Sequence, residues 1–197
     1  RRHTRSNFDI NAVIKNTAAS FEGTCTAKHI TIDLLFSDWH SYVNADMGKI
    51  QQVLYNLIDN AVKFSHHNSE IYVETTEKNE KVFVSVKDSG IGIPRDSIPK
   101  IWDRFYKTDV SRGRDKKGTG LGLSIVKHGT AYLGGHIELV SEPGKGSTFT
   151  VTLKHKIADE SYYGKGQIEN PETGTEILKG RNIMIAEDND LNAEIAA

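Results

Sequence analysis

The sequence predicts a two-layer α/β sandwich, a mixed β-sheet covered on one face by helices. Two observations carry this. Strand-like and helix-like segments interleave along most of the chain, which points to an α/β architecture. Two pairs of strand-like segments are hairpin-like, which adds antiparallel pairing and makes the sheet mixed.

Taken in order, Ser6 or Asp9 is placed to cap a first helix, with Ile10, Val13, Ile14, Thr17, Ala18 and Phe21 at helical spacing. Ile30 to Phe36 is rich in β-formers and reads as a strand, and Tyr42-Val43 as a shorter one. Asp46 is a natural N-cap for a helix that runs through Ile50, Val53, Leu54, Leu57, Ile58, Ala61 and Phe64. After the polar break His66 to Ser69 come two strands, Ile71 to Thr76 and Lys81 to Lys87, joined at Lys78-Asn79. Asp88 to Thr119 is loop-rich, with a short helical piece near Ile98 to Phe105. Its second half, Thr108 to Lys117, is charged and too poor in apolar residues to bury itself, and reads as a mobile lid. Gly120 opens another helix through Leu123, Ile125, Val126 and Leu133, ended by Gly134-Gly135. Gly129 sits inside that helix at a cost of about 1 kcal/mol against alanine, and the sequence gives no reason for it. His136 to Val140 and Thr148 to Leu153 form a last hairpin around Pro143 to Gly146.

Composition sets limits on function. The 197 residues allow one full domain and part of another. A net charge of −1 gives no global pull toward nucleic acid or an anionic membrane. Cys25 is the single cysteine, so no internal disulfide forms and a reducing compartment is the natural setting. No apolar run approaches the roughly 20 residues that span a bilayer, and no signal peptide is visible. The chain lacks an initiator Met and reads as an excerpt of a longer protein.

Four motifs carry the chemistry: Asn56-Leu57-Ile58-Asp59-Asn60-Ala61, Asp88-Ser89-Gly90-Ile91-Gly92-Ile93, Gly118-Thr119-Gly120-Leu121-Gly122-Leu123 and Gly144-Lys145-Gly146-Ser147-Thr148-Phe149. Asn56 and Asn60 are four apart and share a helix face. Neutral amide oxygens suit a Mg²⁺ ion whose shell is mostly phosphate and water. Asp59, one residue before Asn60, is expected to point elsewhere. Gly118, Gly120 and Gly122 precede and open a helix, whose N–H groups and dipole favour an anion. Two rival phosphate motifs fail. A charged stretch, not a buried strand, precedes the glycines, against a dinucleotide turn. At Gly144-Lys145, Leu139 stands where a P-loop needs its earlier glycine, and no hydroxyl residue follows the lysine.

The order and spacing of these motifs resembles the catalytic, ATP-binding domain of sensor histidine kinases in the GHKL superfamily, from about Phe8 to Leu153. The resemblance implies the Bergerat ATP-binding fold with ATP and Mg²⁺ as cofactors. Asn60 would hold the metal, with Asn56 beside it, Lys63 would reach phosphate, and Phe64 would flank the base. Asp88 would accept a hydrogen bond from the adenine amino group and so prefer ATP to GTP. Gly90, Gly92 and Ile93 would let the chain approach the base. Gly118, Thr119, Gly120, Leu121 and Gly122 would hold phosphates, and Ser147 or Thr148 would reach the adenine edge. Ile101 to Lys107 resembles the phenylalanine-containing box beside the lid. Phe105 would anchor the lid and Lys107 would contact phosphate, with Arg112, Arg114, Lys116 and Lys117 adding charge nearby. Trp102 reads as core. In hydrolytic relatives a glutamate occupies the place of Asn56, so its absence favours transfer over hydrolysis.

The resulting division is a catalytic ATP-binding domain at 1–155, a linker at 156–180, and the start of a receiver-like domain at 181–197. The last rests on Ile183 to Asn189, where Glu187-Asp188 resembles the acidic pair of response-regulator receivers. None of the eight histidines is followed by Asp or Glu, as the phosphoacceptor of such kinases usually is. The expected partners are therefore a dimerisation and phosphoacceptor hairpin outside this chain and a receiver domain, with no nucleic acid and no direct membrane contact. The expected location is cytoplasmic, alone or as the inner part of a membrane-bound sensor. A nucleotide-sensing module without transferase activity, and a hydrolase or serine kinase of the same superfamily, are the alternatives.

Overall fold

The computed structural model describes residues 5–108 and 118–154. The elements run β1 (Ser6–Asp9), α1 (Ile10–Ala19), α2 (Glu22–Lys28), β2 (Thr31–Phe36), β3 (Tyr42–Ala45), α3 (Met47–Phe64), β4 (Glu70–Lys78), β5 (Lys81–Asp88), a 3₁₀ turn (Arg95–Ser97), α4 (Gly122–Tyr132), β6 (His136–Glu142) and β7 (Gly146–Lys154). Five strands form one sheet in the order β2-β4-β5-β7-β6. The β2–β4 pair is parallel and the rest antiparallel, so the sheet is mixed as predicted. β1 and β3 form a separate two-stranded ribbon.

Alternation makes the core. Val82, Val84 and Val86 of β5 sit between Ile71 and Val73 of β4 and Phe149, Val151 and Leu153 of β7, all buried. Ile10 and Ile14 of α1, the stripe Ile50, Val53, Leu54, Leu57, Ile58 and Ala61 of α3, and Val126 of α4 join the same cluster. Asp46 caps α3 as read from sequence, its side chain accepting from Lys49 N at 3.0 Å. The antiparallel register sets the end of β5 beside the start of β7, with Asp88 opposite Ser147.

Four local expectations are corrected. Ser6 belongs to a strand, and Asp9 alone caps α1 by accepting from Asn11 N. α1 ends at Ala19, and a second helix, α2, holds the residues after Phe21. Ile98 to Phe105 forms successive turns, with the 3₁₀ helix earlier at Arg95–Ser97. The helix after the glycines begins at Gly122, because Gly120 takes φ +69°, a left-handed value outside the helix.

Gly129 now has a reason. A β-carbon there would stand 2.8 Å from Cγ2 of Val53, so the missing side chain lets α4 lie close on α3. Among the described residues no helix is long and apolar enough to cross a membrane. Most of the lid (109–117), the linker and the receiver-like segment lie outside the described residues.

Candidate functional site

One cavity of about 180 Å³ gathers most of the predicted residues. Asn56, Asn60, Lys63 and Phe64 line it from α3, and Asp88, Gly92 and Ile93 from the turn after β5. Lys107, Gly118, Thr119, Gly120 and Gly122 close another side, and Ser147 comes from β7. Three predicted residues do not line it. Gly90 instead passes the end of α3, where a β-carbon would lie 2.3 Å from Phe64 O. Leu121 is the N-cap residue of α4, and Thr148 pairs in the sheet with Lys87 and Val140.

The α3 wall is ordered by side chain to main chain bonding. Asn56 donates Nδ2 to Gln52 O at 2.7 Å, which leaves Oδ1 turned toward the start of α4. There a β-carbon on Gly122 would be 3.1 Å from Asn56 Oδ1 and 3.7 Å from Asn60 Nδ2. The glycine is thus where the two asparagines meet the helix N-terminus. α4 starts with no side-chain cap and no acidic residue in its first turn, so its first N–H groups and positive dipole end suit an anion. Asp59 also lines the cavity, against expectation. It accepts from Lys63 Nζ at 2.6 Å, one turn along the helix, and that pairing holds it on the wall.

Asp88 is the buried carboxylate of the site, 8% exposed. Gly90 N–H donates to its Oδ1 at 2.9 Å, and the nearby backbone N–H of Ser147 also favours the ionised form. Burial pushes the carboxyl above its ordinary value. The two N–H groups and nearby His66 pull it back only in part. The turn beyond is fixed by close approach. Gly92 has φ +65°, and a β-carbon there would be 2.0 Å from Glu142 O. Gly144 N–H donates to Ile91 O at 2.8 Å, and Ile93 N–H to Ser141 Oγ at 2.9 Å. Ser141 Oγ also donates to Gly146 O and lies 2.9 Å from Ser147 Oγ. Sequence reasoning missed Ser141, which clasps the Asp88 turn to the β6–β7 hairpin.

Sequence reasoning also missed the apolar lining. Ile101, Tyr106, Leu123 and Phe149 give the cavity its hydrophobic surface, and Trp102 packs edge-on to Phe149 at 6.1 Å, in line with its reading as core. Such residues look like ordinary core in a sequence, and only the fold shows that they border a hollow. Phe105 departs from expectation. The residue is 71% exposed with φ +66°, so among the described residues its side chain is not packed into the domain. Its backbone is tied in, since Phe105 N–H donates to Gly120 O at 2.9 Å.

Among the described residues no cluster of three His, Cys, Asp or Glu could hold a metal alone. The donors that converge are the amides of Asn56 and Asn60, which fits an ion carried largely by a ligand's own oxygens.

Residues 45–157 match the family described as histidine kinase-, DNA gyrase B- and HSP90-like ATPase. Sensor histidine kinase WalK of Bacillus subtilis (strain 168) is 42% identical over 135 residues, covering 68% of this chain and 22% of that protein. Sensor protein SrrB of Staphylococcus aureus (strain NCTC 8325 / PS 47) is 44% identical over 108 residues, covering 55% and 18%. The chain therefore spans about a fifth of the length of these relatives. Among solved structures, full-length ShkA in complex with AMPPNP superposes with TM-score 0.71 at 28% identity, over 80% of this chain and 32% of that one. The nucleotide-free catalytic domain of histidine kinase ThkA superposes with TM-score 0.68 at 30% identity, over 77% of this chain and 95% of that one.

Proposed function

The chain belongs to the histidine kinase-, DNA gyrase B- and HSP90-like ATPase family, and from that premise we propose that it is the ATP-binding catalytic domain of a sensor histidine kinase. It passes the γ-phosphoryl group of ATP to a histidine on a separate hairpin segment. The observation that carries this is the meeting of Asn56 and Asn60 with the uncapped start of α4 at Gly122, in the cavity that also holds Asp88.

Each residue has a role fitted to its surroundings. Asp88, ionised, accepts from the adenine amino group, and its buried setting makes that charge-assisted bond selective. Phe64, Ile93, Ile101 and Phe149 flank the base. The N–H groups at Gly122 and the loop Gly118–Gly120 face the phosphates, with Lys63 and Lys107 countering their charge. Asn60, with Asn56 beside it, would hold Mg²⁺, which when bound neutralises charge on the phosphate oxygens. Asn56 has a neutral amide where hydrolysis would need a base, so water is not activated and the phosphoryl group is kept for the protein acceptor. Among the described residues no histidine lines the cavity, which suits an acceptor presented from elsewhere. The hairpin and a receiver domain are the partners this reading requires, and a cytoplasmic location follows from it.

Calorimetric titration with ATP, with and without Mg²⁺, tests the proposal beside Asp88→Asn. Binding that depends on Asp88, followed by transfer of labelled phosphate to an added hairpin segment, is expected. Binding without transfer would make this a nucleotide-sensing module. No binding by a folded sample would refute the ATP reading.

A further inference from the structure

No left-handed residue closes the end of α3, and we infer that Lys28 on α2 is a positioning residue for the nucleotide cavity. The inference rests on the ATP reading above. The last four carbonyls of a helix have no ordinary intrahelical partner. In α3 each of them is accounted for. Ala61 O accepts Ser65 N–H at 3.0 Å. Val62 O and Lys63 O accept Lys28 Nζ at 2.7 and 3.1 Å. Phe64 O accepts Ile91 N–H at 3.3 Å. Ser65 is extended, at φ −65° and ψ 152°, so no left-handed residue folds back to close the helix. A lysine 34 residues earlier in the chain does this instead, and its charge matches the negative end of the helix dipole.

The turn so held belongs to the site. Asn60, Lys63 and Phe64 line the cavity from it, and the Phe64–Ile91 bond ties it to the Asp88 turn. Lys28 itself lies outside that cavity, beside Phe21, Tyr55 and Val62 in a second hollow. Its own backbone is fixed as well, since Lys28 O accepts Asn68 N–H at 3.2 Å from the loop that follows α3. Lys28 therefore holds the helix end and the following loop without touching the nucleotide. Removing the ammonium leaves two part-buried carbonyls without this donor, and the last turn loosens where Lys63 and Phe64 must be placed.

The test compares Lys28→Met and Lys28→Arg with Asp46→Ala, which removes the N-cap at the opposite end of α3. ATP affinity is read by calorimetry, global stability by thermal melting, and the last turn by amide hydrogen exchange at Lys63 to Ser65. Lys28→Met should weaken ATP binding about tenfold and speed exchange at those amides, while Lys28→Arg restores most of both. Asp46→Ala should lower the melting temperature with little change in ATP affinity. Wild-type affinity in Lys28→Met, or an equal affinity loss in Asp46→Ala for the same loss of stability, would overturn the inference. If the wild-type protein binds no ATP, the functional reading fails by itself. Exchange still reports on Lys28, and unchanged rates in Lys28→Met would overturn its role at the helix end.

Discussion

The amide oxygen of Asn56 faces Gly122 so closely that a methyl group on that glycine would lie 3.1 Å away. Asn56 has little room to retreat, because its amide nitrogen is bonded to Gln52 O. Gly122→Ala places a better helix former at the first position of α4, a gain smaller than the roughly 1 kcal/mol of a helix interior, yet pushes the asparagine from the cavity wall. The expected result is unchanged or slightly higher stability with ATP affinity down about tenfold. Thermal melting and calorimetry on the same sample check it.

Asp88 links stability to function with opposite signs. Its folded carboxyl binds a proton more readily than in the unfolded chain. Between the unfolded and folded values the native state holds more protons, so this group favours folding at low pH. Its contribution becomes a cost as pH rises through that window, and the cost is complete above the folded value. Accepting from adenine needs the ionised form, so affinity is gained over the same rise. Asp88→Asn should keep or raise stability while weakening ATP binding about tenfold to a hundredfold. It should also flatten the difference in both curves as pH rises above the ordinary carboxylate range. A variant that binds ATP like the wild type would remove Asp88 from the adenine site.

Gly129→Ala should destabilise the fold despite the better helix former. The new carbon would meet Val53 Cγ2 at 2.8 Å, and forcing it into this contact costs about 1–3 kcal/mol. Val53→Ala in the same chain relieves the clash, so the double variant should recover part of the loss. Urea unfolding of the three variants measures the coupling.

Removing Mg²⁺ with a chelator should weaken ATP binding in the wild type. Asn60→Ala should bind ATP with an affinity close to that metal-free level whether or not Mg²⁺ is present. Titrations in the two buffers give the comparison, and a full Mg²⁺ response in Asn60→Ala would take the metal away from Asn60.

What could be read from sequence depended on repetition within short spans. The α3 stripe and the alternation of Val82, Val84 and Val86 recur at fixed periods, and the structure buries all of these residues except Phe64, which is half-buried at the cavity. α2 has seven residues of which Cys25 alone is buried, too little for a period to show, so the helix went unseen. β1 is four residues long and drew its identity from β3, which no local pattern reveals. The cavity was legible where its motifs are contiguous, as at Asn56–Asn60 and Asp88–Ile93. Ile101, Tyr106 and Phe149 fall within such motifs, but their place on the cavity wall was not legible, because their spelling is that of any core residue. Lys28 and Ser141 act across 34 and 48 residues, a separation that only the folded chain closes.

The bond from Phe105 N–H to Gly120 O joins two points fifteen residues apart in the chain. It ties together the two described ends of that stretch, from which Lys107, Thr108, Gly118 and Thr119 line the cavity. Loop closure costs grow only with the logarithm of length, about 0.6 kcal/mol for each doubling. Residues, a protease site or a fluorescent tag added between Thr108 and Gly118 should therefore raise the closure cost little, with the bond at the base left standing. That makes the stretch a practical point for attaching a reporter of nucleotide occupancy.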